Sequence, residues 1–284
     1  MPHTILCAVP GLGEHSGRYQ GLAEQVVDDG GALVSLDLHG QGYSPGWRGC
    51  IDSYDSLLSE VAALVQLARG GAQLEELAHS PDDTIDRTID LAQWPDDRST
   101  PVCLYGHSMG GNLVLNTVMR GRSVPERLIA SAPMLRAVQP PSQAFMRVAR
   151  LLMICLPHYR LKAPIRKEYL TALPAEIEAQ AQDPLIHRRI SLRLGASLID
   201  SGQWALANPQ LLRQPCLMIH GTADRITDHR ASIDFASRAR AAGAPCWLKL
   251  YPDMLHDIHR DAGREQVLAD ILKWLRTGSP PDQA

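Results

Sequence analysis

The stretch Val102–Leu115, VCLYGHSMGGNLVL, decides the fold because a strand-like apolar run becomes a helical one across a serine. Its centre, GHSMG, fits the pattern G-x-S-x-G, with Ser108 in the middle and a glycine on each side. In enzymes with a nucleophilic serine this pattern marks a tight strand-to-helix turn, in which small neighbours leave the hydroxyl accessible. The pattern also suits a plain glycine turn. The partners of Ser108 must therefore decide between the two interpretations.

Short apolar runs similar to the one before Ser108 recur along the chain, with helical patterns between most of them. We predict buried strands at residues 4–9, 32–38, 101–106, 126–133, 215–221 and 245–252. The apolar periodicity of residues 53–70 and 263–278 predicts amphipathic helices. This alternation predicts an α/β fold with a mostly parallel sheet that is flanked by helices on both faces.

Two segments interrupt the alternation of strands and helices. Residues 136–212 separate two predicted strands, contain helical patterns and several prolines, and are far too long for an ordinary loop. We therefore predict a helical cap, or lid, at 136–212 that is inserted into a core formed by 1–135 and 213–284. The polar and acidic residues 71–99 predict a surface insertion within that core.

The composition excludes several classes of protein. Of the 284 residues 45% are hydrophobic, the net charge is −3, and no dense basic block indicates binding to nucleic acid. Most of the six cysteines lie in predicted strands, which indicates buried thiols in a reducing compartment, and their spacing suggests no metal site. No secretory signal pattern and no apolar run of about 20 residues is found. We therefore predict a cytoplasmic protein.

A nucleophilic serine needs a histidine as base and an acid that orients the histidine. In folds with the G-x-S-x-G turn, the chain order is serine, acid, histidine. Asp224 follows the predicted strand 215–221, and His256 follows the predicted strand 245–252. Because the carboxyl ends of parallel strands meet at one edge of the sheet, Ser108, Asp224 and His256 are predicted to form a catalytic triad there.

Each of these residues also has an ordinary structural interpretation. Aspartate is common in turns, so Asp224 alone fits a turn residue, and Asp228 is a second candidate for the acid. His259 is the nearest competitor of His256 for the role of the base. His107 is predicted to be a packing residue, because it faces away from the serine across the turn. A serine turn, an acid and a histidine at three strand ends together favour the triad.

Attack on a carbonyl places negative charge on its oxygen, and backbone N–H groups commonly stabilise this oxyanion. The amide of Met109 follows the serine at the start of a predicted helix, and is one candidate donor. The Leu12 amide, in the glycine-rich loop 10–19 after the first predicted strand, is the second candidate. A simple glycine turn is the alternative interpretation of that loop.

Taken together, these segments resemble the monoacylglycerol lipase and lysophospholipase group of the α/β-hydrolases over nearly the whole chain. The similar segments are GLGEHSGRY (11–19), DLHGQGYSPGWRG (37–49), GHSMGGNL (106–113), HGTADRITD (220–228) and DPL (183–185). The resemblance implies an α/β-hydrolase fold in which the cap holds an apolar tunnel for an acyl chain. It also implies that the outer cap helix, SQAFMRVARLLMICL (142–156), touches a membrane. Packing of that helix on the core is the alternative.

By the same resemblance, Glu14, Arg18 and His259 hold the glycerol head group of the substrate. The alternative is that Glu14 and Arg18 pair with each other and only brace the loop. Two residues depart from the family pattern, since Pro10 stands where a histidine is usual and Gln180 where a tyrosine is common. The two-strand hairpin that usually precedes the oxyanion strand is absent, and the insertion at 71–99 has no family counterpart.

The sequence thus predicts a serine hydrolase that cleaves carboxylic esters of lipids through an acyl-enzyme on Ser108. A monoacylglycerol lipase, a lysophospholipase or a related esterase would fit, and none of them requires a metal or an organic cofactor. An acyltransferase or thioesterase with the same triad is the alternative among enzymes. A non-catalytic binding protein of the same fold is the alternative outside them. The expected partner is a small lipid or ester, and the sequence leaves the oligomeric state open.

Overall fold

The six predicted strands form one parallel sheet in the computed structural model, which describes residues 1–70 and 99–281. The strands of the described chain are β1 (Ile5–Val9), β2 (Ala32–Ser35), β3 (Val102–His107), β4 (Arg127–Ser131), β5 (Arg160–Lys162), β6 (Arg189–Ser191), β7 (Cys216–Gly221) and β8 (Cys246–Tyr251). The large sheet has the order β2-β1-β3-β4-β7-β8, and every neighbouring pair in it is parallel. The predicted α/β class is therefore confirmed.

Both faces of the large sheet are buried, which explains why its strands are nearly unbroken apolar runs. In β1, the side chains of Ile5, Cys7 and Val9 pack into one core. Those of Leu6 and Ala8 pack into a second core on the opposite face. This alternation follows from the two-residue repeat of a strand. The sheet thus lies between two apolar layers.

Helices cover both apolar layers. They are α1 (Gln20–Asp28), α2 (Tyr54–Arg69), α3 (Met109–Met119), α4 (Gln143–Cys155), α5 (Pro174–Gln182), α6 (Leu192–Ala207), α7 (His229–Ala241) and α8 (Arg264–Thr277). Side chains of α2, α3, α6 and α7 enter one core, and those of α1 and α8 enter the other. None of the described helices is long and apolar enough to cross a lipid bilayer.

Residues 136–212, predicted as a helical cap, contain α4, α5 and α6 together with the strands β5 and β6. The sequence analysis missed these two strands, because three residues each are too few to show a periodic pattern. They form a separate antiparallel pair. Leu194 and Leu198 of α6 pack into the main core, so the predicted segment shares apolar packing with the sheet domain. The division at 136 and 212 stays a prediction.

Two other predictions concern the ends and edges of the sheet domain. Residues 71–98 of the predicted surface insertion lie outside the described residues. In the described chain, β2 is an edge strand whose neighbour in the sheet is β1, and β8 is the other edge. The carboxyl ends of β1, β3, β7 and β8 meet at one side of the sheet, where the candidate site lies.

We expect Leu104→Ala to lower the free energy of unfolding by about 2–5 kcal/mol, because the truncation leaves a cavity in a close-packed core. Leu104 is fully buried in β3, between Cys7 and Leu128 of the neighbouring strands. Urea unfolding followed by circular dichroism measures the change. The control Val124→Ala truncates a side chain that is 60% exposed, and its effect should stay within about 0.5 kcal/mol. Equal losses in the two variants would contradict the layered core.

Candidate active site

Ser108 occupies the turn between β3 and α3 in a backbone conformation that side chains rarely adopt. Its φ is 55° and its ψ is −114°, a strain of about 1–3 kcal/mol that the surroundings must hold. The Ser108 N–H donates to the carbonyl oxygen of Ser131 at 2.9 Å, and the Met134 N–H donates to that of Ser108 at 2.9 Å. The end of β4 thus fixes the turn and presents the serine side chain at the end of β3.

The glycines that flank the serine have no room for a side chain. A Cβ atom on Gly106 would lie 2.3 Å from the carbonyl oxygen of Gly110. A Cβ atom on Gly110 would lie 2.0 Å from the carbonyl oxygen of Val9 in β1. Cβ atoms do not approach other atoms closer than 3.0 Å. The close packing of α3 on β1 and β3 therefore requires the pattern G-x-S-x-G.

Asp224 and His256 meet at the ends of β7 and β8. The Nδ1 atom of His256 lies 2.7 Å from Oδ2 of Asp224, and both side chains are buried. The backbone N–H groups of Ile226 and Thr227 donate to Oδ1 of Asp224 at 2.7 and 3.0 Å. The Thr227 hydroxyl donates to Oδ2 at 2.7 Å. The carboxylate is thus held in one orientation toward the imidazole.

His220, at the end of β7, belongs to the same network, and the sequence analysis missed it. Its Nε2 lies 3.1 Å from Oδ2 of Asp224, and its Nδ1 lies 2.8 Å from Oγ of Ser232. Burial, the largest influence, lowers the pKa of His220 below its ordinary value. The ring therefore stays neutral at neutral pH. The sequence feature that could have indicated this contact is a histidine four residues before an aspartate. This spacing also occurs for many unrelated structural reasons, so it does not predict the contact.

Opposing effects set the charges of the Asp224–His256 pair. Burial disfavours ionisation of Asp224, but the charges and hydrogen bonds of His256 and His220 bring the pKa of Asp224 well below its ordinary value. Burial also disfavours protonation of His256, but the charge and hydrogen bond of Asp224 outweigh it and raise the pKa of His256. Asp257 and Glu14 add to this increase. The pair can therefore accept and hold a proton on the imidazole, as a general base must.

Ser108 and His256 line the same cavity. Because Asp224 occupies Nδ1 of His256, Nε2 is the nitrogen that remains for proton exchange. The hydrogen bonds of the described residues do not include one between the Ser108 hydroxyl and His256. Such contacts tighten in many enzymes only when the substrate binds. The structure thus places Ser108 and the candidate base in the wall of one cavity, and the described hydrogen bonds do not join them.

The loop after β1 packs directly on the serine. A Cβ atom on Gly11 would lie 3.4 Å from Cβ of Ser108. Gly13 has a φ of +74°, which favours glycine, and a Cβ atom there would collide with the cap backbone. The amides of Leu12 and Met109 donate to no acceptor among the described residues. Both N–H groups therefore remain candidate donors to an oxyanion, and of the two residues only Leu12 lines the cavity at Ser108.

Side chains brace this loop although Pro10 stands where a histidine is usual. The Gly11 N–H donates to Oε2 of Glu14 at 2.9 Å. The Gly13 N–H donates to Oε1 of Gln41 at 2.8 Å. These hydrogen bonds hold the backbone on both sides of the Leu12 amide, and they offset the bond that proline cannot provide.

The three residues predicted to hold a head group lie in different surroundings. Glu14 lines the cavity at Ser108, whereas Arg18 and His259 do not. Arg18 pairs with Asp257 at 3.9 Å rather than with Glu14. The His259 ring stacks on Tyr19 at a centroid distance of 5.3 Å, and burial lowers the pKa of His259 well below its ordinary value. The structure thus brings only Glu14 of the three into the cavity, and the alternative Glu14–Arg18 pair is not formed.

His107 and Asp257 form a buried pair next to the candidate base. The Nε2 atom of His107 lies 3.1 Å from Oδ1 of Asp257, and its Nδ1 lies 3.3 Å from Oγ of Ser131. His107, His256 and Asp257 carry ligand-type atoms within 4.8 Å of one another. However, the Arg18 guanidinium lies 3.9 Å from Asp257 and would repel a cation. The cluster fits a hydrogen-bonded network better than a metal centre, and the expectation of no metal stays a prediction.

A cavity of 330 Å³ is lined by Ser108 and by residues between 165 and 188, within the segment predicted as a cap. Its apolar wall residues are Leu12, Ile165, Leu170, Ala181 and Ile186, and its polar ones include Glu14, Lys167, Gln180, Asp183 and Arg188. Gln180, at the place of the expected tyrosine, is buried in this wall. The departure from the family pattern therefore alters a cavity residue. A wall of mixed polarity suits a molecule with an apolar chain and a polar head.

Comparisons with known proteins identify the family of the chain and its structural neighbours. The sequence profile of the Hydrolase_4 family, described as serine aminopeptidase S33, matches residues 1–263. A monoacylglycerol lipase of Mycolicibacterium smegmatis is 24% identical over 96% of this chain and 88% of that protein. An uncharacterized abhydrolase domain-containing protein of Dictyostelium discoideum is 24% identical over 97% of this chain, which spans only 26% of that longer protein. The crystal structure of Paleococcus ferrophilus monoacylglycerol lipase has a TM-score of 0.80 and 26% identity, and the match covers 98% of this chain and 96% of that one.

We expect Asp224→Asn to lower the pKa of His256, because the substitution removes the negative charge that stabilises the imidazolium. Nitrogen-15 NMR of the histidine rings across a pH titration measures this pKa directly. In the wild type the His256 ring should stay protonated to a higher pH than an ordinary histidine.

The matched control is Asp228→Asn, which removes the weaker candidate for the acid. Asp228 pairs with Arg136 at 2.9 Å and caps α7, away from His256. The control should leave the pKa of His256 unchanged. An equal decrease in both variants would show that the charge of Asp224 is not the cause.

Proposed function

The chain belongs to the Hydrolase_4 family (serine aminopeptidase, S33) and is a carboxylic ester hydrolase, and we propose that it cleaves monoacylglycerols or lysophospholipids through an acyl-enzyme on Ser108. The observation that carries the proposal is the contact of 2.7 Å between Asp224 and His256, because the His256 side chain lines the cavity that Ser108 also lines. Similarity to two proteins named monoacylglycerol lipase supports the class of substrate.

In the proposed reaction, Ser108 Oγ attacks the ester carbonyl while Nε2 of His256 takes its proton. The tetrahedral intermediate collapses, the ester C–O bond breaks, and His256 gives the proton to the leaving alcohol. Water then attacks the acyl-enzyme with His256 again as base, which releases the fatty acid and restores Ser108. Asp224 keeps the proton of His256 on Nδ1 and stabilises the imidazolium at each stage.

The Leu12 and Met109 amides would stabilise the oxyanion in both steps. Each is a backbone donor whose position is set by packing, so it needs no reorganisation when charge develops. Loss of one such donor typically costs about 3–4 kcal/mol of transition-state stabilisation. The Met109 amide also lies in the first turn of α3, where the helix dipole favours negative charge.

We expect Ser108→Ala to abolish labelling by a fluorophosphonate and to lower kcat/KM for 1-lauroylglycerol by about 10⁴- to 10⁶-fold, because the nucleophile is lost. His256→Ala should lower kcat/KM by a similar factor. Labelling is read by gel fluorescence and turnover by release of lauric acid.

The control for both variants is Ser59→Ala, which removes an exposed serine hydroxyl on α2 and should retain full labelling and turnover. Circular dichroism of each variant checks that the fold is intact. If a folded wild-type protein resisted the fluorophosphonate, or if Ser108→Ala kept its turnover, the assignment of Ser108 as nucleophile would be wrong.

We further propose that α4 rests on a lipid surface. Only Met146 and Ala149 of this helix are buried. The exposed large apolar side chains of α4 are Phe145, Val148, Leu151, Leu152 and Ile154. An exposed apolar face of this size is unusual in a protein that faces only water. A helix with one such face and scattered arginines is suited to the interface of a bilayer.

We expect the double variant Leu151→Gln/Ile154→Gln to weaken binding to phosphatidylcholine vesicles by roughly tenfold or more, because two side chains lose their apolar burial. Cosedimentation measures the binding. Hydrolysis of a water-soluble short-chain ester should be unchanged, because neither side chain lines the cavity.

The matched control is Val27→Gln/Val124→Gln. These valines are 58% and 60% exposed and lie outside α4, so vesicle binding should be retained. A similar decrease in both double variants, or in neither, would argue against a role of α4 in membrane contact.

A further inference from the structure

A second cavity, of 740 Å³, lies beside the first and is lined mainly by cations. Its wall residues are Arg48, Arg160, Leu161, Lys162, Pro184, Ile186, His187, Arg188 and Arg189, and we call this cavity the basic groove. The wall contains four arginines and one lysine but no acidic side chain. Ile186, His187 and Arg188 also line the cavity at Ser108. The two cavities therefore share one wall.

Strand pairing in the cap brings three of these cations together. In the antiparallel pair β5-β6, Lys162 lies directly opposite Arg189. Arg160 is two residues before Lys162, so its side chain lies on the same face of the pair. Like charges directly opposite each other destabilise a strand pair. The placement of these cations therefore does not stabilise the folded chain by itself.

No carboxylate of the described residues forms an ion pair with any of these five cations. Arg48 donates to two backbone carbonyl oxygens and Arg188 donates to one. Arg160 lies over the Trp47 ring at 5.6 Å. These contacts orient the guanidinium groups but do not neutralise them. The net charge of the whole protein is −3. The positive charge of the groove wall is therefore a local feature and not a property of the whole chain.

The pKa of His187 responds to several positive charges of the groove at once. Burial first, and then the charges of Arg48, Arg189 and Arg160, lower the pKa of His187, against the effect of a hydrogen bond to the Gly40 carbonyl. The His187 ring is therefore neutral at neutral pH. The charge of the basic groove therefore comes from its four arginines and its lysine.

We propose that the basic groove binds the phosphate of a phosphate-bearing monoacyl lipid, so that the enzyme prefers this anionic substrate to a neutral monoacylglycerol. The proposal rests on the function proposed for Ser108. Arginine forms paired, charge-assisted hydrogen bonds with phosphate oxygens, and several arginines can share one phosphate. In an acylglycerol phosphate only a three-carbon backbone separates the ester oxygen from the phosphate oxygen. Because the two cavities share a wall, the proposal places the ester end of one such molecule at Ser108 and its phosphate in the basic groove.

The test compares 1-lauroylglycerol with 1-lauroylglycerol 3-phosphate in the same neutral detergent micelles. The wild type should have the higher kcat/KM for the phosphate lipid. The variant Lys162→Gln/Arg189→Gln should raise KM for the phosphate lipid by about tenfold or more, because two phosphate contacts are lost. For the neutral lipid, kcat/KM should change by less than about twofold. Both substituted side chains are exposed, so the fold should be retained.

The matched control is Arg213→Gln/Arg240→Gln, which removes the same charge from exposed positions outside the groove. It should leave both substrates unaffected. Equal effects of the groove variant on the two lipids, or no effect on either, would overturn the proposal. The same effect in the groove variant and in the control variant would also overturn the proposal, because it would reflect the change in net charge alone.

Further experiments distinguish three sources of the phosphate, which are a lipid substrate, a soluble anion and a lipid surface. Inorganic phosphate and glycerol 3-phosphate are tested as inhibitors of neutral-lipid hydrolysis, and vesicles with phosphatidylglycerol are tested for binding. Inhibition by the free anions without a preference for the phosphate lipid would assign the groove to a soluble anion and overturn the proposal. A groove variant that loses only vesicle binding would also overturn it, in favour of a lipid surface. Fluorophosphonate labelling without turnover of either lipid would overturn it and leave Ser108 assigned as the nucleophile.

Discussion

The positive φ of Ser108 is the constraint on which the rest of the candidate site depends. A residue other than glycine keeps a φ of 55° only when the surrounding structure excludes less strained backbone conformations. Here β1, β3 and α3 approach so closely that neither Gly106 nor Gly110 has room for a Cβ atom. The same approach brings the loop after β1 against the serine. The half-buried Ser108 side chain and the adjacent Leu12 loop are therefore two results of one packing arrangement.

Much of this arrangement is predictable from sequence, because it depends on elements with a long periodic signal. The six strands of the large sheet are buried on both faces, so each is a continuous apolar run between turn residues. The strand ends then place Asp224 and His256 at the same edge as Ser108. His220 carries no such signal, since a single buried polar residue at the end of an apolar strand does not show which group it contacts.

The less predictable features depend on side-chain pairing between distant segments. Arg18 corresponds by position to a head-group residue of the family, but it pairs with the buried carboxylate of Asp257 and does not line the cavity. The basic groove depends on the register of β5 and β6, which are too short for a pattern. Neither residues 160–162 nor residues 189–191 contain a sequence pattern that predicts their pairing. Only their pairing places Lys162 opposite Arg189.

The basic groove has no acidic wall residue, whereas Glu14, Asp183 and Asp257 line the cavity at Ser108, and this difference would orient a substrate. Asp257 and Glu14 carry carboxylates near His256, which favour the imidazolium that the proposed reaction would form. The same carboxylates would repel a phosphate placed beside them, by about 4 kcal/mol per unit charge at 4 Å in a partly buried site. In the proposed complex, the phosphate of the lipid would therefore lie in the basic groove, across the shared wall. Its ester end would lie in the cavity at Ser108, so the charge distribution would favour the productive orientation before any contact with the reacting carbonyl.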